Sequence, residues 1–150
     1  MIRKTYVLLL LAAVFVTAAG LIYHSSNEID GSNLATENVK IVKDSDDIWR
    51  VRDTANNTNK GTMRVRRNDR VFWQPQGSRV QFIFHKNVNA YFNYESGLFG
   101  DGKTQIVENG KMLRVTVKDN APLDKLVYDV LVYADSSYVV GNSPPVMIVY

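Results

Sequence analysis

Cysteine is absent from this chain of 150 residues, and histidine occurs only twice, as His24 and His85. Without thiols there is no disulfide, no cysteine nucleophile, and no ligand for thiolate-bound zinc, an iron–sulfur cluster or blue copper. The two histidines are too far apart in sequence to indicate a zinc site, and no Ser/His/Asp set stands out. A pair of carboxylates stays open as chemistry, since any two of the 15 acidic residues can meet in space. The sequence predicts a protein that is not an enzyme and holds no cofactor.

Charge is missing from one long stretch, residues 5–23 (TYVLLLLAAVFVTAAGLIY). At ~1.5 Å per residue, a helix of this length spans roughly 28 Å, close to the ~30 Å hydrocarbon core of a bilayer. Arg3 and Lys4 precede the stretch, and Glu28 and Asp30 follow it. The positive-inside rule therefore predicts a basic cytoplasmic tip at 1–4, a transmembrane signal anchor at 5–23, and an extracytoplasmic remainder.

Two interpretations of this stretch differ in whether it is retained. Thr17-Ala18-Ala19 resembles the cleavage site of a signal peptide, whereas the apolar run continues through Tyr23, which favours a retained anchor. Both place the rest of the chain across a bacterial inner membrane, on its periplasmic or extracellular side. Ala13, Thr17 and Gly20 share one helix face, which suits close packing against another helix in the bilayer. Small residues are also common in signal sequences, so this face has an ordinary explanation.

The remainder of the chain divides into a linker and one domain. Residues 24–38 are polar and without periodicity, which is typical of a linker. Residues 39–150 contain short stretches in which apolar and polar residues alternate, with turn residues between them. These stretches are 39–43, 48–52, 62–67, 70–73, 79–85, 91–94, 113–117, 126–133 and 146–150. The spacing predicts a mainly β protein, an antiparallel β-sandwich of immunoglobulin-like or related type.

One part of the domain resembles a known family. Residues 68–75 (NDRVFWQP), a glycine turn, and then residues 80–84 (VQFIF) resemble the early hairpin of cupredoxin-like sandwiches. This resemblance implies a cupredoxin-like fold without the copper centre of that family, because the cysteine ligand has no counterpart and His85 lies in a predicted strand.

Residues 97–104 (GLFGDGKT) match the phosphate-binding pattern G-x-x-x-x-G-K-[ST]. That function requires a buried strand before the loop and a helix after it, and neither pattern is present here. We therefore interpret the segment as a surface loop. Its apolar residues Leu98 and Phe99 are predicted to be exposed at the tip, where they would contact a partner.

Arginine is concentrated in the first half of the domain. Residues 45–90 contain nine basic and four acidic residues, whereas residues 91–150 contain five basic and seven acidic ones. If residues 49–52 and 63–66 pair as a hairpin, their alternation places four arginines on one outer face: Arg50, Arg52, Arg64 and Arg66. Like charges that face each other destabilise a sheet, so this face predicts an acidic partner. The alternative is a solvated face neutralised by Asp46, Asp47 and Asp53.

The leading functional hypothesis is an accessory subunit of a larger membrane complex, of respiratory or photosynthetic type. It would contact the lipid bilayer and integral-membrane subunits with an acidic extracytoplasmic surface, and no nucleic acid. The alternative is a module that binds carbohydrate or the cell envelope through Trp49, Trp73, Tyr91, Phe92 and Tyr94, although a sandwich core uses the same residue types. The acidic run Asp44-Ser45-Asp46-Asp47 lacks the spacing of a calcium loop and is interpreted as a turn.

Overall fold

The computed structural model describes residues 34–140 and 144–150, and it consists of two packed β-sheets. Residues 1–33 lie outside the described part, so the predicted tip at 1–4, the anchor at 5–23 and the helix face of Ala13, Thr17 and Gly20 have no structural description here. Among the residues that are described, no helix has the length and apolar character needed to cross a bilayer. The strands are β1 (Thr36–Lys43), β2 (Trp49–Asp53), β3 (Thr62–Val65), β4 (Arg70–Pro75), β5 (Val80–Phe84), β6 (Phe92–Asn93), β7 (Thr104–Val107), β8 (Leu113–Val117), β9 (Lys125–Val132), β10 (Ser137–Tyr138) and β11 (Val146–Val149), with a short 3-10 helix at Val88–Ala90.

The strands form a front sheet and a back sheet. The front sheet has the order β2-β1-β4-β8-β6, and the back sheet has the order β3-β11-β9-β5-β7, with β10 paired to β9. The prediction of a mainly β sandwich is confirmed. The expectation of purely antiparallel pairing was wrong at two places, because β1 runs parallel to β4 and β3 runs parallel to β11. Period-two alternation identifies a strand but carries no information about the direction of its neighbour.

The core lies between the sheets and is rich in aromatic side chains. Trp73 is fully buried, with its ring centroid 5.6 Å from that of Phe82 and 6.2 Å from that of Tyr128. Phe84 stacks on Tyr128 at 5.1 Å. The Nε1–H of Trp73 donates to the hydroxyl of Tyr128 at 3.4 Å, so the polar atoms inside this cluster are paired.

The alternation in each strand accounts for this core. In β4 the inward residues Val71 and Trp73 are fully buried while Arg70 and Phe72 face outward, and β5 buries Val80, Phe82 and Phe84 in the same way. A shift of one residue in the register of such a strand would expose its whole aromatic set, so the alternation strongly disfavours that shift.

Strand boundaries depart from the predicted ones where backbone pairing, rather than side-chain pattern, decides them. β1 begins at Thr36, inside the predicted linker 24–38, because Thr36 pairs with Arg70 and Glu37 with Val71. β7 was not predicted. It is an edge strand that pairs only with β5 among the described strands. Its outward Ile106 is 45% exposed, so its sequence does not show the alternation of buried apolar and exposed polar residues that identifies a strand.

The predicted hairpin of residues 49–52 and 63–66 was wrong. β2 pairs with β1 in the front sheet, with Trp49 opposite Lys43, whereas β3 pairs with β11 in the back sheet. Between them, residues 54–61 fold back on β2 through the backbone bond from Asp53 N–H to the Thr58 carbonyl at 2.9 Å, and the chain then crosses to the other sheet. A cluster of turn residues thus connects two sheets here instead of two paired strands.

Candidate functional site

Most of the basic residues on the strands of the two sheets lie on the outward face of the front sheet. Lys40 lies opposite Arg52 on β2 and opposite Gln74 on β4, and Phe72 lies opposite Arg114 on β8. We define the basic face by its five cationic residues: Lys40, Arg50, Arg52, Arg70 and Arg114. Cationic residues from four strands of one sheet therefore converge, which sequence alternation alone did not reveal.

Two of these residues, Arg50 and Arg52, are held by carboxylates of the neighbouring turn. Arg50 contacts Asp44 at 2.7 Å and Asp46 at 2.6 Å, and Arg52 also binds Asp44. The hydrogen bond from Arg52 is the main cause that lowers the pKa of the Asp44 carboxyl, and the bond from Arg50 lowers that of Asp46. This end of the basic face is therefore largely neutralised, as the solvated-face alternative predicted for Arg50 and Arg52. The neutralising residues differ in part from those predicted, because Asp47 pairs with Lys43 and Asp53 with Lys60.

The other end of the basic face is an open cleft between Arg70 and Arg114. Half-buried Phe72 forms its floor, and the Arg114 guanidinium lies 5.9 Å from the ring centroid of Phe72. Tyr94 and Glu95 complete one wall. Within residues 34–140 and 144–150, no carboxylate comes within 4 Å of the charged groups of Arg70 or Arg114, Glu95 included.

This cleft has the chemistry of an anion-binding surface. A guanidinium group presents planar paired donors that match a carboxylate, and an aromatic floor excludes water from one side of the pair. Lys40, higher on the same face, likewise has no ion-pair partner in the described part of the chain. The arrangement suits acidic side chains on a partner surface and contains no nucleophile activated by a base.

Arg64 and Arg66 do not belong to this face. Arg64 lies on the outward side of β3 in the back sheet, and Arg66 directly follows that strand. Their guanidinium carbons lie 5.3 and 5.5 Å from the ring centroid of Tyr150. The alternation that predicted both as outward residues was correct, but the predicted strand partner was not. Arg64 and Arg66 are therefore separated by the whole sandwich core from Arg50 and Arg52.

The predicted exposure of Leu98 and Phe99 was wrong. Phe99 is 2% exposed and packs against Phe84 at 5.7 Å and Tyr94 at 5.0 Å between ring centroids, and Leu98 packs against the same core. The loop folds inward because its backbone is fixed, with Phe99 N–H donating to Gln105 Oε1 at 2.7 Å. The segment 97–104 leads into strand β7 and not into a helix, so the phosphate-loop interpretation was correctly set aside.

The aromatic platform expected of a carbohydrate-binding module is contained in the core. Trp49, Trp73, Tyr91 and Phe92 are between 0 and 6% exposed, and only Tyr94 is half-buried. The core interpretation of these residues is therefore confirmed for four of the five.

Other clusters of polar residues in the described chain are small. His85 Nε2 lies 2.8 Å from Asp129 Oδ2 on the outward side of the back sheet. In residues 34–140 and 144–150, no three His, Cys, Asp or Glu side chains are arranged to hold a metal ion. Asp44 and Asp46, which a calcium site would require, face Arg50 and Arg52 instead.

Three carboxyl groups outside the basic face give the domain a predicted sensitivity to acid. The pKa of Asp124 is lowered to about 2 by bonds from Lys86 and Tyr91, that of Asp135 to about 2 by Ser137 and Trp49, and that of Asp101 to about 2 by Thr104. In the unfolded chain these carboxyls titrate near ~3.9. As the pH falls, the unfolded state binds protons first, so these groups stabilise the fold above about pH 4 and lose that effect as the pH falls to about 2.

We expect the melting temperature to fall steeply between about pH 4 and about pH 2, and the Asp124→Asn variant to fall less steeply because one of these groups is gone. Asp119→Asn, which removes an exposed carboxyl without an ion pair among the described residues, is the matched control and should retain the parent slope. Thermal unfolding followed by circular dichroism at four pH values measures this. Identical slopes for the parent and Asp124→Asn would contradict the role of the Lys86–Asp124–Tyr91 cluster.

Comparison with known proteins does not assign the chain to a family. No protein-family profile matches the sequence. No curated protein matches it either. Among solved structures the chain is similar to the McoA multicopper oxidase of the hyperthermophile Aquifex aeolicus, at 11% identity and TM-score 0.43 over 82% of this chain and 31% of that one. A variant of that oxidase is similar at 12% identity and TM-score 0.43, over 83% and 31%.

The chain thus spans about a third of the length of the oxidase chains that it matches. At this TM-score the matches do not bear on fold type, activity or cofactor, and the fold is defined by the strand pairing described above.

Proposed function

We propose that this protein is a non-enzymatic accessory subunit of a larger membrane complex, of respiratory or photosynthetic type, in a bacterial inner membrane. Residues 5–23 would anchor it as a single span, and the sandwich would dock on an acidic extracytoplasmic surface of a partner subunit. The observation that carries the proposal is the open cleft in which Arg70 and Arg114 flank Phe72 without a carboxylate partner in the described chain.

Like charges on paired strands repel one another. Arg70 and Arg114 lie on the paired strands β4 and β8, and no carboxylate of the described residues lies within 4 Å of either guanidinium group. An acidic partner would remove this repulsion and would form charge-assisted hydrogen bonds with two guanidinium groups, worth ~1.5–3 kcal/mol each. An acidic partner would therefore stabilise the charged groups of the cleft more than solvent does.

If the protein and its partner are anchored in the same membrane, the basic face can form the complex with a lower intrinsic affinity. A tethered domain meets its partner at an effective concentration that reaches the millimolar range for short linkers. A patch of a few cationic residues around one aromatic side chain is then sufficient, and a large apolar interface is not required. The proposed module for carbohydrate or cell-envelope binding has no comparable support, because its aromatic residues lie in the core.

The proposal is tested by purifying the tagged full-length protein from its native membrane in mild detergent, with intact-mass analysis of the chain and identification of co-purifying subunits. We expect a mass that begins at Met1 and a stoichiometric integral-membrane partner. A mass that begins near Gly20, with the protein in the soluble fraction, would contradict the anchor. An anchored chain that purifies alone would contradict the accessory role.

A further inference from the structure

The chain enters the sandwich at one defined end. Ala35 N–H donates to Asp69 Oδ1 at 3.0 Å, and the Ala35 carbonyl accepts from Arg70 N–H at 3.0 Å. Asp69 is only 4% exposed and also accepts from Arg66 N–H at 2.7 Å. The beginning of the described chain is therefore fixed to the domain by a part-buried hydrogen bond to Asp69 and a backbone hydrogen bond from Arg70.

Several loops meet around this point. Asn68 N–H donates to the Val117 carbonyl at 2.8 Å, and Lys118 N–H donates to the Tyr91 carbonyl at 2.8 Å. Tyr150 N–H donates to the Val65 carbonyl at 3.1 Å. We call this surface the N-terminal end, formed by residues 34–35, 66–69, 85–91, 118–125 and Tyr150.

The N-terminal end is cationic. Its basic residues are Arg66, Arg67, Lys86, Lys118 and Lys125, and its acidic ones are Asp69, Asp119 and Asp124. Asp69 is buried, and Asp124 is occupied by Lys86 and Tyr91, which leaves Asp119 exposed among these residues. The adjoining loop, whose Gly102 carbonyl accepts from Val88 N–H at 2.7 Å, adds one exposed charge of each sign, Asp101 and Lys103. Four cations at this end, all but Lys86, have no carboxylate within 4 Å in the described part of the chain.

The opposite end of the sandwich has the reverse balance and serves as an internal comparison. Its loops, residues 43–48, 76–79, 108–111 and 133–136, carry Lys43, Arg79 and Lys111 against Asp44, Asp46, Asp47, Glu108 and Asp135. Lys43 and Arg79 are paired with carboxylates of these same loops. The cationic excess is therefore a property of one end and not of the whole domain.

Exposed apolar side chains accompany these cations. Leu34 is 52% exposed, Leu123 is 65% exposed and Tyr150 is 48% exposed. Tyr150 lies beneath the guanidinium groups of Arg64 and Arg66. A surface that combines cations, leucine and tyrosine has the composition that binds the interface of an anionic bilayer, where the apolar groups enter the headgroup region and the cations contact phosphate.

We infer that the N-terminal end rests on the anionic headgroups of the membrane that holds the anchor. This inference depends on the proposed anchor for its geometry, because residues 24–33 can span at most roughly 35 Å even when fully extended. The N-terminal end, where the described chain begins, would therefore lie within reach of the bilayer.

The test uses the absence of cysteine. Leu123→Cys in the full-length chain gives a single thiol for an environment-sensitive fluorophore, and Ser45→Cys places the same probe at the opposite end as a control. Each protein is reconstituted into vesicles of phosphatidylcholine alone or with about 30 mol% phosphatidylglycerol. We expect a blue shift, and quenching by lipid-borne quenchers, at position 123 in the anionic vesicles only. The signal should decrease in about 0.5 M salt, since screening weakens it, and position 45 should show neither effect.

Charge reversal identifies the cations involved. Arg66→Glu with Lys125→Glu should lower the docking equilibrium constant at least roughly 30-fold, because each cation lost near an anionic surface lowers it about fivefold and the new negative charges lower it further. Neither side chain forms a hydrogen bond or ion pair among the described residues. Arg79→Glu with Lys111→Glu makes the same change of charge at the opposite end and should leave docking intact. Equal loss for both pairs would contradict the inference.

The outcomes separate this inference from the proposed function. A probe at position 123 that reports water in both kinds of vesicle would overturn lipid docking while leaving the anchor untouched. A chain that fails to insert, but whose position 123 still enters anionic vesicles, would contradict the anchor and support lipid docking. A probe that becomes buried only in native membranes, through a protein partner, would overturn the lipid surface as the occupant.

Discussion

Replacing Trp73 by alanine is expected to lower the free energy of unfolding by about 3–5 kcal/mol. Trp73 is fully buried, and its ring lies within 5.6 to 6.4 Å, between centroids, of Phe82, Phe84 and Tyr128. Its removal leaves a cavity between the sheets and leaves the Tyr128 hydroxyl without its donor. A loss of this size is a large part of the ~5–15 kcal/mol that stabilises an ordinary domain, so the variant should unfold near room temperature or melt far below the parent.

Phe72 is the matched control, since it is the preceding residue of the same strand and faces outward. Phe72→Ala should cost about 1 kcal/mol or less, because its side chain is half-buried at the floor of the cleft. Urea unfolding followed by circular dichroism compares the two variants. Equal losses would mean that β4 does not present Trp73 to the core, and the assignment of the two faces of the front sheet would be wrong.

Reversing the charges of Arg70 and Arg114 together is expected to weaken association with the partner by roughly 100-fold or more. Breaking a close charge pair at an interface costs ~2–5 kcal/mol, and a glutamate in place of arginine adds repulsion from the acidic partner. Both side chains are exposed and pair with no carboxylate in residues 34–140 and 144–150, so stability should change little. The measurement is the yield of co-purifying subunit per tagged chain in mild detergent.

Arg64→Glu with Arg66→Glu is the control for this prediction. It makes the same change of charge on the back sheet, at the pair of arginines that sequence alternation placed on the docking face. In detergent, without an anionic lipid surface, this variant should retain the partner at the parent yield. Loss of the partner in the control, with retention in Arg70→Glu/Arg114→Glu, would place the docking surface on the back sheet.

The class of fold could be predicted from the sequence because alternation is a local property. Trp73, Phe82 and Phe84 were each recognisable as residues of alternating strands, and each faces the core. The same alternation placed Arg50 and Arg64 correctly on the outside of their strands. What a single strand presents to solvent depends on its own residues, so one sequence was enough for these predictions.

The site could not be predicted, because it depends on which strands are neighbours. Arg70 and Arg114 are 44 positions apart in the chain, and they share a cleft only because β4 pairs with β8. Parallel pairing of β1 with β4 brings Lys40 onto the same face. The predicted exposure of Phe99 was wrong for a related reason. The hydrogen bond from Phe99 N–H to Gln105, which holds the loop against the domain, cannot be inferred from hydrophobic periodicity.

Cross-link mapping on the detergent-purified complex would show whether the outward face of the front sheet is the docking surface. A photoreactive residue placed at Lys40, between the cleft and the ion-paired Arg50 and Arg52, would report this face, and one at Lys125 would report the back sheet. We expect cross-links from position 40 to an acidic extracytoplasmic segment of an integral-membrane subunit, and none from position 125. Cross-links from position 125 alone, or from neither position in a complex that contains the partner, would contradict this docking surface.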